Sequence, residues 1–384
     1  MVKYLIIPLL FLFIKASAQE PINYESADSI TYNCYLSGNW DKLIKTGENA
    51  LTHNINFKRL QQRLGYAYFA KHDYFAAQSH YEQALTFDQS DPDTQTYLYY
   101  CGLNTNDLGN ANFAAEKMPL ELQQKLSINK SKVVDAIDLE YNYKYNTTLT
   151  RSNPTYMRFG INSQLNLKTS LYQALSSYQQ TIDGTAIKQP EYFLLLKRSL
   201  SAHTSLNIGY HYINTKNGNA MSTGNLAYFG LNSSVNRYKF DLHSSILNDG
   251  GTNISQFGIK GGVTLPGKSE ITLTSSLDGM SGSGYNSLIF AQSANIRLSK
   301  KIWSEGYVTL GNLKNYNDNN GLYVYNLVDP ITFRTGATLY VKLTNNFTLF
   351  GNYGYESKQI EKLNKNLNSN YSQQSFSIGT IWKL

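Results

Sequence analysis

The chain has 384 residues, a formal charge of +7 from 34 Lys and Arg against 27 Asp and Glu, 16% charged and 13% aromatic residues, and two cysteines. Its length excludes a disulfide-stapled mini-domain, its apolar content excludes a disordered chain, and its charged fraction lies below the ~25% usual for soluble domains. No run of Lys or Arg exceeds two residues, so the positive balance does not predict nucleic-acid binding.

Residues 1–18 combine a basic start, an apolar run and Ala16-Ser17-Ala18, the pattern of a secretory signal peptide. No later stretch offers the ~18 consecutive apolar residues of a membrane helix, so export leaves a soluble protein or a β-barrel. The remainder divides by charge: residues 20–129 balance at −5 and residues 130–384 at +10. Apolar spacing changes from helical to alternating between 123 and 132, which predicts a helical domain over 22–125, a linker over 126–132 and a strand domain over 133–384.

In the first module, Leu64-Gly65-x-x-Tyr68 is followed by Ala77-x-x-x-Tyr81-x-x-Ala84. A shift of 34 residues in either direction preserves the pattern. Trp40, Tyr74 and Leu108 share one repeat position, and Leu43, Ala77 and Ala111 a second. Gly47, Tyr81 and Ala115 share a third, and Ala50, Ala84 and Met118 a fourth. Small residues suit the crossing of two helices, and large ones fill the gap to the next pair. Turns are expected at 37–39, 71–73 and 107–109, and Asp91-Pro92 suits a stop and restart.

This spacing resembles that of tetratricopeptide repeats (TPR) over residues 24–125, three helix pairs. The resemblance implies an α-helical solenoid whose concave groove holds a segment of a periplasmic protein partner; a plain spacer is the alternative. Cys34 and Cys101 fall in the first helices of repeats one and three. With a whole repeat between them, buried packing is expected instead of a disulfide.

After Lys132 the apolar residues alternate: Ile137, Leu139, Tyr141, Tyr143 and Tyr145 first, Phe376, Ile378, Trp382 and Leu384 last. Polar residues between them suit a water-facing lumen, with the alternate face meeting outer-membrane lipid. Short turns are expected at 168–170, 201–205, 234–236, 266–268, 299–301 and 344–346. Long loops are expected at 146–154, 182–190, 214–224, 248–253, 279–286, 312–330 and 358–370, with 322–328 also readable as a strand. The strict alternation of short and long connections predicts fourteen antiparallel strands closed into a transmembrane β-barrel, its chain ends and the helical domain on the periplasmic side. A soluble sandwich has no reason to alternate its loops.

Inward parity is assigned to Arg158, Lys239, Lys260, Arg297 and Arg334, and to Asp241, Glu270, Glu305 and Glu356. Such a surface suits a channel for anionic or neutral polar cargo; paired charges in a closed lumen are the alternative. The six histidines show no metal spacing, and neither a cofactor nor catalysis is expected, although His211 and His243 are expected to face the lumen. Gly282-Ser283-Gly284 reads as a loop cluster.

The last strand, from Ser375, resembles the C-terminal signal read by the barrel-assembly machinery, with Leu384 where an aromatic residue is common and Trp382 two residues earlier. The order of modules resembles three groups: exopolysaccharide export porins, YaiO-like envelope barrels and surface lipoprotein assembly modifiers. These resemblances imply passage of a polysaccharide or of a lipoprotein across the bacterial outer membrane. A structural or adhesive envelope protein is the first alternative and an outer-membrane enzyme the second.

Overall fold

The computed structural model describes residues 22–128, 131–267, 269–282, 284–326, 328–360 and 370–384. The signal-peptide reading at 1–18 lies outside them, as do two residues of the expected linker and most of the last expected loop.

Among the described residues seven helices come first: α1 Tyr24–Leu36, α2 Trp40–Thr52, α3 Lys58–Ala70, α4 Tyr74–Leu85, α5 Pro92–Asn104, α6 Leu108–Lys117 and α7 Leu120–Lys125. Asn39, Asp73 and Asp107 stand 34 residues apart, and each caps the second helix of a pair. Their side chains accept the amides of Lys42, Ala76 and Asn110 at 3.2, 3.2 and 3.1 Å. The turn expected at 107–109 therefore falls earlier, because the Asp107 cap starts α6 at Leu108. Asp91 caps α5 in the same way, with Pro92 in the first turn, where its missing N–H costs nothing.

Leu43, Ala50, Leu64, Ala77, Tyr81, Ala84, Ala111 and Ala115 are buried, and Trp40, Tyr68 and Tyr74 are half-buried. The glycines explain the close crossings. A Cβ on Gly65 would meet the Tyr81 ring at 2.9 Å, and one on Gly102 would meet the Ala111 amide nitrogen at 2.6 Å. Leu108 departs from its expected packing role: at the first position of α6 it is 55% exposed. Cys34 and Cys101 are buried free thiols, and burial pushes the Cys101 thiol up.

Sixteen strands follow: β1 Lys132–Asn146, β2 Thr155–Asn166, β3 Thr169–Ile182, β4 Thr185–Ser199, β5 Thr204–Asn217, β6 Ala220–Val235, β7 Tyr238–Asp249 and β8 Thr252–Thr264, then β9 Thr272–Gly282, β10 Tyr285–Arg297, β11 Ile302–Leu310, β12 Asn317–Asp318, β13 Tyr323–Val324, β14 Ile331–Lys342, β15 Phe347–Gln359 and β16 Asn370–Lys383. All but β12 and β13 form one closed antiparallel barrel of fourteen strands, sealed where β1 pairs with β16. Closure leaves no free edge. Leu139, Tyr141, Ile208, Phe229, Phe240, Phe257, Phe290, Leu339, Phe376 and Ile378 point outward and are exposed, which makes the outer wall apolar. Leu200, Leu265, Leu298, Leu343 and Leu384 are exposed at the turn ends of their strands. Leu384 therefore repeats the position that leucine holds at the other turns.

Four of the expected long loops are tight hairpins. β3 and β4 join through Asp183-Gly184, both with positive φ, and β7 and β8 through Gly250-Gly251. Such turns match the twist of the strands they join. β5 and β6 join at 218–219, and β9 and β10 stay paired up to Gly282 and Tyr285. The polar residues of these stretches are ladder residues: β3 to β6 run 14, 15, 14 and 16 residues, beyond the ~9–11 needed to cross a bilayer.

The helices dock against the short-turn end of the barrel. Lys168 bonds Glu116 and lies 4.7 Å from the Phe113 ring centroid. His203 meets Glu82 at 3.3 Å, Arg237 meets Asp73 at 2.6 Å, and Ser234 donates to Asp107 at 2.8 Å. The opposite charges of the two modules meet at this seam.

Candidate functional site, the lumen and its plug

Side chains alternate in and out along every strand, so directly paired residues on neighbouring strands share a face. Arg158, Lys239, Asp241, Lys260, Arg297, Glu305, Arg334 and Glu356 take the inward positions. Glu270 does not: it lies in the turn before β9 with φ 42° and bonds Arg297 at 3.0 Å. Its turn position follows from β9 starting only at Thr272.

Several of these charges are engaged. Arg158 bonds Asp138 at 2.5 Å, Glu140 at 2.9 Å and the Tyr172 hydroxyl. Lys144 donates to Glu356 at 2.8 Å, and Arg334 reaches Asp318 at 3.4 Å and the Tyr325 hydroxyl. A guanidinium or ammonium inside a protein wall is tolerated when carboxylates surround it, which is the arrangement here.

The largest departure from expectation is the connection between β11 and β14. Residues 311–326 and 328–330 do not extend outward as a loop. They fold into the barrel, with β12 and β13 pairing as a small hairpin inside it. Leu313 and Tyr316 pack with Leu226, Leu247, Ile254 and Ile289. Leu322 packs with Ala174, Phe193 and Leu195 on β3 and β4. Between these patches the backbone is bonded to wall side chains: Gln256 accepts the Asn317 amide at 3.0 Å and donates to its carbonyl at 3.1 Å. Tyr323 donates to Glu140 at 2.9 Å, and Asp329 meets Arg151 at 2.7 Å and Tyr371 at 3.1 Å. The segment crosses the lumen from β9 to β1 and plugs it.

His211 and His243 both serve the plug. His211 Nδ1 lies 2.8 Å from the Gly321 carbonyl oxygen. His243 sits between Asp241 at 2.5 Å and Asp278 at 2.7 Å, and Asp278 also accepts from Gln256 and Tyr316. Among the described residues no hydroxyl is hydrogen-bonded to either ring. Gly282 and Gly284 belong to the hairpin between β9 and β10.

The plug is the feature that residue spacing misses. Leu313, Tyr316, Leu322, Tyr323 and Tyr325 within an otherwise polar connection are the trace it leaves in the sequence, since a loop in water has no use for five large apolar side chains.

No protein-family model matches the chain, and no curated protein does. Among solved structures, the chain is similar to a bacterial polysaccharide outer membrane secretin, at 8% identity over 66% of this chain and 99% of that one, TM-score 0.42. It is similar to the CymD monoaromatic hydrocarbon channel, at 6% identity over 66% and 89%, TM-score 0.46. It is also similar to a Pseudomonas aeruginosa FadL homologue, at 8% identity over 71% and 92%, TM-score 0.42.

Proposed function

We propose that the protein is a gated conduit of the bacterial outer membrane, exported by its N-terminal signal, with the seven helices forming a periplasmic TPR-type arm. The arm recruits a periplasmic protein partner, and the barrel passes a polymer, an exopolysaccharide or a surface protein, when the plug moves. The apolar outer wall around a polar lumen supports membrane residence, because only a closed barrel or a helix satisfies its backbone in lipid. One observation carries the transport reading: the connection between β11 and β14, held by side-chain contacts and not by the barrel ladder, fills the lumen. Removal of such a segment leaves all fourteen strands paired.

The test is conductance in planar bilayers. The intact protein is expected to be closed, and a variant with residues 312–329 replaced by a short Gly-Ser linker is expected to conduct. A variant that inserts as a barrel but stays closed would reject transport. The filled lumen of the intact protein also suits a second reading, a structural or adhesive envelope protein.

A further inference from the structure

On the turn side of the plug the lumen has two unlike walls. Trp303, Tyr340 and Phe350 on β11, β14 and β15 are successive register partners on the inward face. The Trp303 and Tyr340 rings are parallel within 6° at 5.1 Å, and Tyr340 and Phe350 lie 5.6 Å apart. Phe350 occupies the space beside Gly379, where a Cβ would stand 2.2 Å from its ring, so that glycine on β16 admits the aromatic wall.

Lys197, Lys239 and Lys260 take inward positions on β4, β7 and β8. None makes an ion pair or side-chain hydrogen bond among the described residues. Lys239 and Trp303 are each the second residue of their strands, and Lys197 and Tyr340 each the third from the end, so both walls stand at one level near the mouth. Of the neighbouring carboxylates, Asp241 is held by His243, Asp138 and Glu140 by Arg158, and Glu270 by Arg297. Glu305 also faces inward, beside Lys260 and Arg334 in the field of the site.

We propose that this chamber binds a carbohydrate chain bearing carboxylates, its apolar CH faces against the aromatic wall and its acid groups toward the lysines. Unpaired ammonium groups opposite apolar rings match a ligand that is anionic on one side and apolar on the other. Sugar CH groups pack on apolar ring surface, which the three neighbouring rings supply together. The inference rests on the conduit reading for the source of the chain, and its test does not depend on the plug opening.

The experiment is calorimetric titration of the full-length protein in detergent with tetragalacturonate, cellotetraose and tetraglutamate. Tetragalacturonate is expected to bind about tenfold more tightly than either comparator. Trp303→Ala, and separately the double change Lys197→Gln with Lys239→Gln, should each weaken it by about tenfold, while Trp303→Phe retains it. A mobility shift on boiling verifies that each variant is a closed barrel. Equal binding of cellotetraose, or tetraglutamate binding as well and indifferent to Trp303→Ala, overturns the proposal, as does no binding. None of these outcomes touches the conductance of the plug-shortened barrel, so the chamber and the conduit fail separately.

Discussion

Asp73 holds the two halves of the molecule together: its Oδ1 accepts the Ala76 amide at 3.2 Å to cap α4, and the same atom accepts Arg237 Nη2 at 2.6 Å from the turn between β6 and β7. Arg237 also lies 5.0 Å from the Phe75 ring centroid, so the turn grips the helix end by charge and by ring.

The two roles of Asp73 separate by substitution. Asp73→Asn keeps a good capping oxygen and removes the charge, so α4 should hold within about 0.5 kcal/mol. The contact with Arg237 should weaken by about 0.2–1 kcal/mol, the range for a partly exposed pair. Asp73→Ala loses the cap as well and should cost α4 about 1 kcal/mol. Amide exchange in α4 and in the turn at 236–237 reads both; identical α4 protection in the two variants would rule out the capping role.

Docking should also depend on pH. The Glu82 carboxylate beside His203 raises the imidazole above its ordinary value of 6.5, with burial opposing, and His203 precedes β5, outside the span. A raised value means that the docked state binds the proton more tightly than the undocked one. The contribution is complete below 6.5 and disappears as pH rises through the raised value, so the seam should loosen on the alkaline side. Inter-domain cross-linking between pH 5 and 9 checks this, and Glu82→Gln should flatten the profile over that span.

These contacts show which parts of the structure are legible in the residues. The period of 34 is visible because Asn39, Asp73 and Asp107 recur as caps and small residues recur at crossings, both local necessities. The strand count is visible because short turns end each hairpin on one side. What hides is length: Thr185 to Pro190 reads as loop because a strand projecting into water is as polar as a loop, although Asp183-Gly184 already marks a two-residue turn. The plug hides for a different reason. Its partners Glu140, His211, Gln256 and Asp278 lie on four different strands, and only closure of the barrel brings them together.

The helix crossings set a stability prediction. At Gly102 an added methyl would meet the backbone nitrogen of Ala111 at 2.6 Å, and backbone yields less readily than a side-chain tip. Gly102→Ala should therefore destabilise the α5–α6 pair by about 1–3 kcal/mol, the usual cost of overpacking. Leu108→Ala at the exposed start of α6 should stay within about ±0.5 kcal/mol, as surface changes do. Thermal unfolding followed by helical circular dichroism distinguishes them. Equal losses would mean that Leu108 packs as its repeat position suggests.

Arg151 and Asp329 form the latch at the far end of the plug. Their side chains are 3% and 2% exposed, and they meet through Arg151 Nε at 2.7 Å and Nη2 at 3.3 Å. Tyr371 on β16 donates to the same carboxylate, which ties the plug to the seam strand. Arg151→Gln leaves the Asp329 carboxylate buried without its guanidinium, a loss of about 3–5 kcal/mol for a broken buried pair. Replacing both residues by leucine removes the charges together, and such exchanges are often neutral. Single-channel recording should therefore show intermittent openings for Arg151→Gln and a closed barrel for the double variant. If both variants open equally, the space filled at the latch matters and the charge pair does not; if neither opens, Glu140, His211 and Gln256 hold the plug without it.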